Sequence, residues 1–276
     1  MGVRGQTDDD IQLTLLLEEI HRRYNFDFRD YARSSLRRRV LNGVHAEHLT
    51  DMGELRDLIA RDSAAMERLL LALTVNVTSL FRDPEMYLGF RREVVPLLRS
   101  YPFTRIWHAG CSTGEEVYSM AILLHEEGLY DRCRIYATDM NEVVLRRASE
   151  AVYPLSTVEV HAEDYRLAGG KASLSDYHSS SYGYAIVNHW LRKNVVFAHH
   201  NLVTDRAFNE FHVIFCRNVM IYFNRRLQER VHRLLFESLR RFGTLTVGLK
   251  ESLVGTPHER DYDVIDGRLK LFRRRA

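Results

Sequence analysis

Residues 105–119 read RIWHAGCSTGEEVYS. Arg105 to Ala109 predict a short strand, Gly110 to Gly114 a tight turn, and Glu115 onward a helix with apolar residues at Val117, Met120, Ala121 and Leu124. Strand, glycine turn and helix in this order build a ligand site at the carboxyl end of the first strand of an open α/β sheet. The glycines let the backbone come close to a ligand. A helix N-terminus ordinarily welcomes an anion, yet Glu115 and Glu116 stand there, which points to a ligand carrying a positive group.

The next strand is expected at Arg134 to Thr138, ending on Asp139, with a helix over Asn141 to Ala151. An acid at the end of the second strand can accept two hydrogen bonds from the vicinal hydroxyls of a ribose, which supports an adenosine ligand. A phosphate-cradling loop would need a GK[ST] ending, and a dinucleotide fold would want GxGxxG, whereas GCSTG has two glycines four apart. S-adenosylmethionine fits better: its ammonium and sulfonium suit acids at the turn, and its ribose suits Asp139.

Upstream, Ile11 to about Leu73 is helical, with Leu13, Leu16, Leu17 and Ile20 on one stripe, then Leu55, Leu58 and Ile59, then Met66, Leu69, Leu70 and Leu73. After a break at Asn25 to Arg29, the second helix is expected to carry Arg29, Arg33, Arg37, Arg38 and Arg39 with only Asp30 opposing them. That basic face is either a solvated surface or a dock for an acidic helix. The link TVNVTSLFRDP, 74–84, offers Asn76, Thr78 and Arg82 as donors, either for a ligand or to cap the helix opened by Pro84.

Downstream, 153–193 breaks the strand–helix alternation; Tyr184, Ile186, Asn188 and Trp190 alternate as in an antiparallel hairpin, so a small β subdomain or lid is expected. Strands follow at Asn194 to Ala198 and Phe211 to Cys216, a helix at Asn224 to Phe242, and a last hairpin from Thr244–Leu249 and Leu269–Arg273. His199 and His200 are adjacent on a strand and point to opposite faces, so no metal site is expected.

The 276 residues carry a formal net charge of +2, without the global positive field of a dedicated nucleic-acid binder. Cys111, Cys133 and Cys216 are scattered with no CxxC, which suits a reducing compartment and a cytoplasmic location. The run Leu13 to Leu17 is too short to span a bilayer, so no membrane insertion is expected.

Five segments in register, NVTSLFR, GCSTGEEVYS, ATDM, NL and FCRNVMIYF, followed by a long helix and GLKESL, closely resemble the CheR family of chemotaxis receptor glutamate methyltransferases. The resemblance covers nearly the whole chain. It implies a Rossmann-like α/β S-adenosylmethionine-dependent methyltransferase domain over 84–276, an N-terminal helical domain over 1–73, a linker at 74–83 that contributes cofactor contacts, and an inserted antiparallel β subdomain at 153–193. The implied activity is protein-glutamate O-methylation on the cytoplasmic helices of chemoreceptors for sensory adaptation, by a cytoplasmic, monomeric protein that can be recruited to receptor arrays. A CheR-like methyltransferase or cofactor-binding regulator of a non-chemotaxis signalling system is the alternative.

Carried over residue by residue, the resemblance gives cofactor roles to Asn76, Thr78, Arg82, Gly110, Asp139, Met140, Asn201, Leu202, Arg217 and Asn218. One acid of the GEE pair joins them, Glu116 from its spacing with Glu115 as fallback. Arg82 and Tyr222 are expected beside the transferring methyl, Tyr222 otherwise being a packed aromatic at a helix entry. Arg33, Arg37 and Arg38 become the receptor dock. Two departures stand out: Val117 replaces the usual proline, and GLKESL replaces the usual GHSESL, which puts Leu249 and Lys250 where substrate choice is in question. A nucleic-acid methyltransferase is disfavoured because CRNVMIYF stands where an NPPY-like base-gripping motif would be.

Overall fold

A computed structural model describes residues 8–74 and 77–276. The chain divides into two compact units, one formed by the first 76 residues with 222–228, the other by 77–221 with 229–276.

The first unit is built on helices α1 (Asp8–Tyr24), α2 (Arg33–Ala46), α3 (Met52–Arg61) and α4 (Ser63–Leu73). Leu13, Leu16 and Ile20 of α1, Leu36 and Val40 of α2, Leu55 and Ile59 of α3, and Leu73 of α4 are fully or almost fully buried. Asp51 and Asp62 cap α3 and α4 by accepting the backbone N–H of Glu54 and Ala64. Three corrections concern the basic helix. Arg29 precedes α2 and pairs with Asp27. Arg39 is buried, donates to the Leu73 carbonyl at 2.7 Å and lies over the Tyr222 ring at 4.4 Å. Arg37 is paired with Asp9, so Asp30 is not the only opposing acid. The late segment 222–224 belongs here because it is stitched to 30–32: Ala32 N–H donates to the Tyr222 carbonyl, Asn224 N–H to the Asp30 carbonyl, and Tyr31 bridges Phe223.

The second unit opens with α5 (Pro84–Glu93) and α6 (Val95–Leu98), then β1 (Thr104–Ala109), α7 (Glu115–Glu126), β2 (Cys133–Asp139) and α8 (Glu142–Glu150). The insertion follows as β3 (Val152–Pro154), α9 (Leu155–Glu159), α10 (Ala162–Leu167), β4 (His178–Ser181), β5 (Tyr184–Val187) and α11 (His189–Arg192). Then come β6 (Val195–His199), β7 (Phe211–Cys216), α12 (Arg225–Ser238), whose first turn lies in the helical unit, β8 (Leu239–Val247), β9 (Tyr262–Asp266) and β10 (Leu271–Arg274).

The main sheet has the order β6-β2-β1-β7-β8-β10-β9, with the β6 to β8 pairs parallel and β10 antiparallel to both neighbours. Chain order runs outward from β1 through β2 to β6, then resumes at β7 on the other side of β1. That reversal is the switch point at which such sheets bind ligands, beyond the carboxyl ends of the strands. Parallel strands covered on both faces read as apolar runs, and every residue of β7 is buried.

Three expectations change here. The final hairpin is β9–β10, with β10 lying between β8 and an edge strand at 262–266 that the sequence reading did not include. The helix before it stops at Ser238, and β8 begins at Leu239. In the insertion the β4–β5 hairpin ends at Val187, with Trp190 in the α11 turn; its three strands form a separate sheet in the order β3-β5-β4.

The insertion is fixed to the sheet domain by a buried carboxylate. Glu126 accepts from Tyr165 Oη at 2.5 Å, Tyr177 Oη at 2.9 Å and Lys171 N–H at 2.8 Å, and pairs with Arg91. Burial opposes its charge, but these donors outweigh it and hold Glu126 below the usual carboxylate range.

Candidate active site

The site gathers at the carboxyl ends of β1, β2 and β7. Gly110 (φ +76°) and Gly114 (φ +93°) need left-handed backbone, and an added Cβ at Gly110 would lie 2.6 Å from Val219 Cγ2. Only glycine fits this turn without strain or collision. Met140 is half-buried beside Asp139. The Asp139 carboxylate accepts Ser112 N–H and Asn141 N–H, each at 3.0 Å, which fastens the end of β2 to the turn after β1. Burial nonetheless pushes Asp139 above its ordinary range. Each oxygen retains a lone pair for a hydroxyl donor.

The two helix-entry acids have different surroundings. Glu116 Oε1 lies 2.9 Å from His108 Nδ1 and Oε2 2.8 Å from Arg217 Nη1. Burial works against its charge, but His108 and Arg217 prevail and hold it below the usual range. Arg217 is itself buried; Nη2 reaches Asp83 Oδ2 at 2.6 Å and the Arg82 carbonyl at 3.2 Å. Glu115 has only Thr113 Oγ1, at 2.7 Å, as a side-chain donor and no cation in ion-pair contact among the described residues; burial raises it.

The loop after β7 is organised from a distance. Glu251 is buried and accepts four backbone N–H groups: Asn218 at 3.0 Å and Gly248 at 2.5 Å on Oε2, Met220 at 2.7 Å and Ile221 at 3.3 Å on Oε1. Asn218 takes a left-handed φ of +60°, and a Cβ at Gly248 would lie 2.8 Å from its nitrogen. Leu249 and Lys250 both face solvent, so the departure from the family pattern leaves the two anchoring residues around it in place.

Thr78 and Arg82 are half-buried in the second unit, Arg82 Nη1 donating to the Val77 carbonyl at 3.1 Å. Asn201 and Leu202 are buried just beyond β6, Asn201 Oδ1 accepting Val203 N–H at 3.0 Å. Asn76 lies outside the described residues. Tyr222, Arg33, Arg37 and Arg38 belong to the helical unit. His108, Asp83 and Glu251 were missed by the sequence reading; their partners are remote in sequence, except for the eight-residue step from His108 to Glu116 and the three-residue step from Glu251 to Gly248.

The residues present fit a cationic adenosine ligand. Ser112 Oγ at the glycine turn is buried with no partner, Glu115 lacks a counter-cation, and a buried carboxylate ends β2. Family comparison agrees: the SAM binding domain of CheR methyltransferase matches residues 76–268, and its all-alpha domain matches residues 11–74. The chain belongs to the CheR methyltransferase family.

A Pseudomonas putida protein named as methyltransferase Cher3 is 43% identical over 98% of this chain and 99% of its own length. Chemotaxis protein methyltransferase 2 of Pseudomonas aeruginosa is 34% identical over 83% of this chain and 79% of its own, and the Salmonella typhimurium chemotaxis protein methyltransferase is 29% identical over 88% and 84%. Among solved structures, the methyltransferase domain of bacterial CtHen1-C aligns with a TM-score of 0.35 and 19% identity, over 59% of this chain and 65% of that one. This CheR family member is therefore an S-adenosylmethionine-dependent methyltransferase. No helix among its described residues is long and apolar enough to cross a membrane.

Proposed function

We propose that this protein methylates glutamate side chains on the cytoplasmic helices of chemoreceptors, or of a closely related signalling protein, and does so in the cytoplasm. The observation that carries this reading is the way the site's titratable groups are spent. His108 is committed to Glu116, and Asp83 and Glu116 are committed to Arg217. His108, the imidazole in contact with the helix-entry acids, is therefore not free to act as a general base, which suits a substrate that is already a nucleophile. A glutamate with an ordinary pKa of about 4.3 is ionised at neutral pH.

S-adenosylmethionine, when bound, supplies a methyl group made electrophilic by its sulfonium. The protein's own task is then alignment and exclusion of water, and proximity alone can be worth roughly 7 to 11 kcal/mol. Arg82 orients the incoming carboxylate through a charge-assisted hydrogen bond. Asp139 receives the ribose hydroxyls, Asn201 and Leu202 border the adenine, and Thr78, Gly110 and Met140 line the remainder. Of the paired acids, Glu115 meets the cationic methionyl end, while Glu116 fixes Arg217 and, through it, the Arg82 carbonyl. Arg33 and Arg38 present the exposed charges of α2 to an acidic receptor helix.

The test is transfer of radiolabelled methyl to receptor cytoplasmic fragments, with base-labile label as the signature of an ester. Arg82→Ala should abolish transfer and keep most of the cofactor affinity. Full activity in that variant would remove Arg82 from the reaction, and label stable to base would remove the glutamyl ester.

A further inference from the structure

The amino-terminal edge of the main sheet, at the opposite end of the strands from Asp139 and Arg217, holds a second polar cluster formed by Tyr101, Arg105, His212 and Arg240. Arg240 lies where the β7–β8 ladder skips from Leu239 to Thr244, so that 240–243 bulge out of register. His212 is buried, and its Nδ1 accepts the Arg105 backbone N–H at 3.0 Å. A neutral imidazole has a single accepting nitrogen, so Nε2 carries the proton. Arg240 Nη1, which can only donate, stands 2.7 Å from that Nε2. Two donors therefore face each other with no acceptor between them.

Protonation offers no relief: burial, then Arg240 and Arg105, push His212 down to about 4. Arg240 is held where it is by the Tyr101 ring, 4.7 Å from its guanidinium carbon, and that ring meets His212 edge-on at 4.8 Å. The Arg240 Nε–H is buried without a partner. The Arg105 guanidinium has no ion-pair or hydrogen-bond partner among the described residues, and Arg134 is its register neighbour on β2.

We propose that Arg105, His212 and Arg240 form a binding site for a phosphate group, distinct from the methyl-transfer site. An oxyanion bridging His212 and Arg240 from one side accepts from Nε2–H and Nη1–H together and turns the opposed donors into two hydrogen bonds, with Arg105 adding charge. A free phosphate ion and a phosphate monoester share this chemistry.

The test uses the full chain with isotope-labelled histidine, titrated by NMR with inorganic phosphate and separately with glycerol phosphate, at ionic strength held constant with sodium chloride. The His212 ring signal, assigned by its loss in His212→Gln, should move saturably, and its pKa should rise when phosphate is bound. Arg105→Gln and Arg240→Gln should each weaken binding at least about tenfold, as expected for loss of a charge-assisted contact, and leave S-adenosylmethionine affinity unchanged. Tighter binding of the ester identifies an organic ligand as the occupant, and tighter binding of inorganic phosphate a free ion. Movement that never saturates, that chloride reproduces, that survives in both arginine variants, or that S-adenosylmethionine abolishes by competition would overturn the proposal. Should a variant fail to fold, the wild-type titration against chloride still decides.

Discussion

Replacing Glu251 by alanine removes one side chain and strands four backbone N–H groups. Asn218 and Ile221 are partly exposed and can turn to water, whereas Met220 and Gly248 are buried. At about 1 to 3 kcal/mol for each buried donor left unsatisfied, the cost is about 2 to 6 kcal/mol. Charge is not the source of this stabilisation, because burial holds Glu251 above its ordinary range despite its four donors. Its worth lies in supplying two acceptors. Glutamine is therefore a poor substitute: its oxygen serves one pair of donors while its amide N–H₂ faces the other pair. Urea unfolding should place Glu251→Gln at least half as far below wild type as Glu251→Ala. Because the loop from Arg217 to Ile221 is what those donors shape, calorimetry should also show weaker cofactor binding in both variants. A glutamine variant within about 0.5 kcal/mol of wild type would refute the reasoning.

Other outcomes follow from the same geometry. Glu115→Gln should weaken cofactor binding about tenfold or more, while Glu116→Gln should chiefly lower turnover by loosening Arg217; the reverse pattern by calorimetry and steady-state kinetics would exchange their roles. Glu126 has a depressed folded pKa, so the stability it contributes is present above the unfolded value near 4.3 and is lost as pH falls through the folded value; Glu126→Gln should shrink the difference in unfolding free energy between pH 7 and acid. On α2, Arg38→Glu should raise the apparent KM for receptor fragments more than Arg37→Glu, since Arg37 is already neutralised by Asp9; equal and unchanged kinetics would remove α2 from the dock.

How much of this was readable in the sequence depends on the range of the interaction. β1, its turn, α7 and the Asp139 strand end were legible because strand period, glycine and helix period act within a few residues. Arg39 was legible too, though it was read as surface: Leu36, Arg39, Val40 and Gly43 share one face at helical spacing, so the run of arginines should have been split between a buried stripe and an exposed one. The end of α12 was not, since Leu235 and Leu239 keep the helical period and only pairing of Leu239 with Phe211 turns the chain into β8. The edge strand β9 hides for a related reason: YDVID carries two acids, and its Val264 is 64% exposed. Little local announces Glu251, three of whose four donors lie about thirty residues away, and nothing local announces the Glu116–Arg217 pair, about a hundred residues apart.

The adjacent acids at the glycine turn show what such distance does to a charge count. Read along the chain, Glu115 and Glu116 are equivalent charges at a helix entry, and both argue for a cationic ligand. In the folded protein they are pushed in opposite directions, Glu116 down by His108 and Arg217 and Glu115 up by burial. A carboxylate already holding an arginine gains little from a second cation, whereas one that is half-buried without an ion-pair partner gains more, because binding an ammonium offsets a desolvation cost already incurred on folding. We therefore propose that the cationic preference at the turn rests on Glu115 rather than on Glu116, the acid that spacing favours. Glu116 does different work: through Arg217 it ties the β7 loop to the Arg82 carbonyl, so one carboxylate selects the ligand's charge and its neighbour sets the position of the chain segment that presents Arg82.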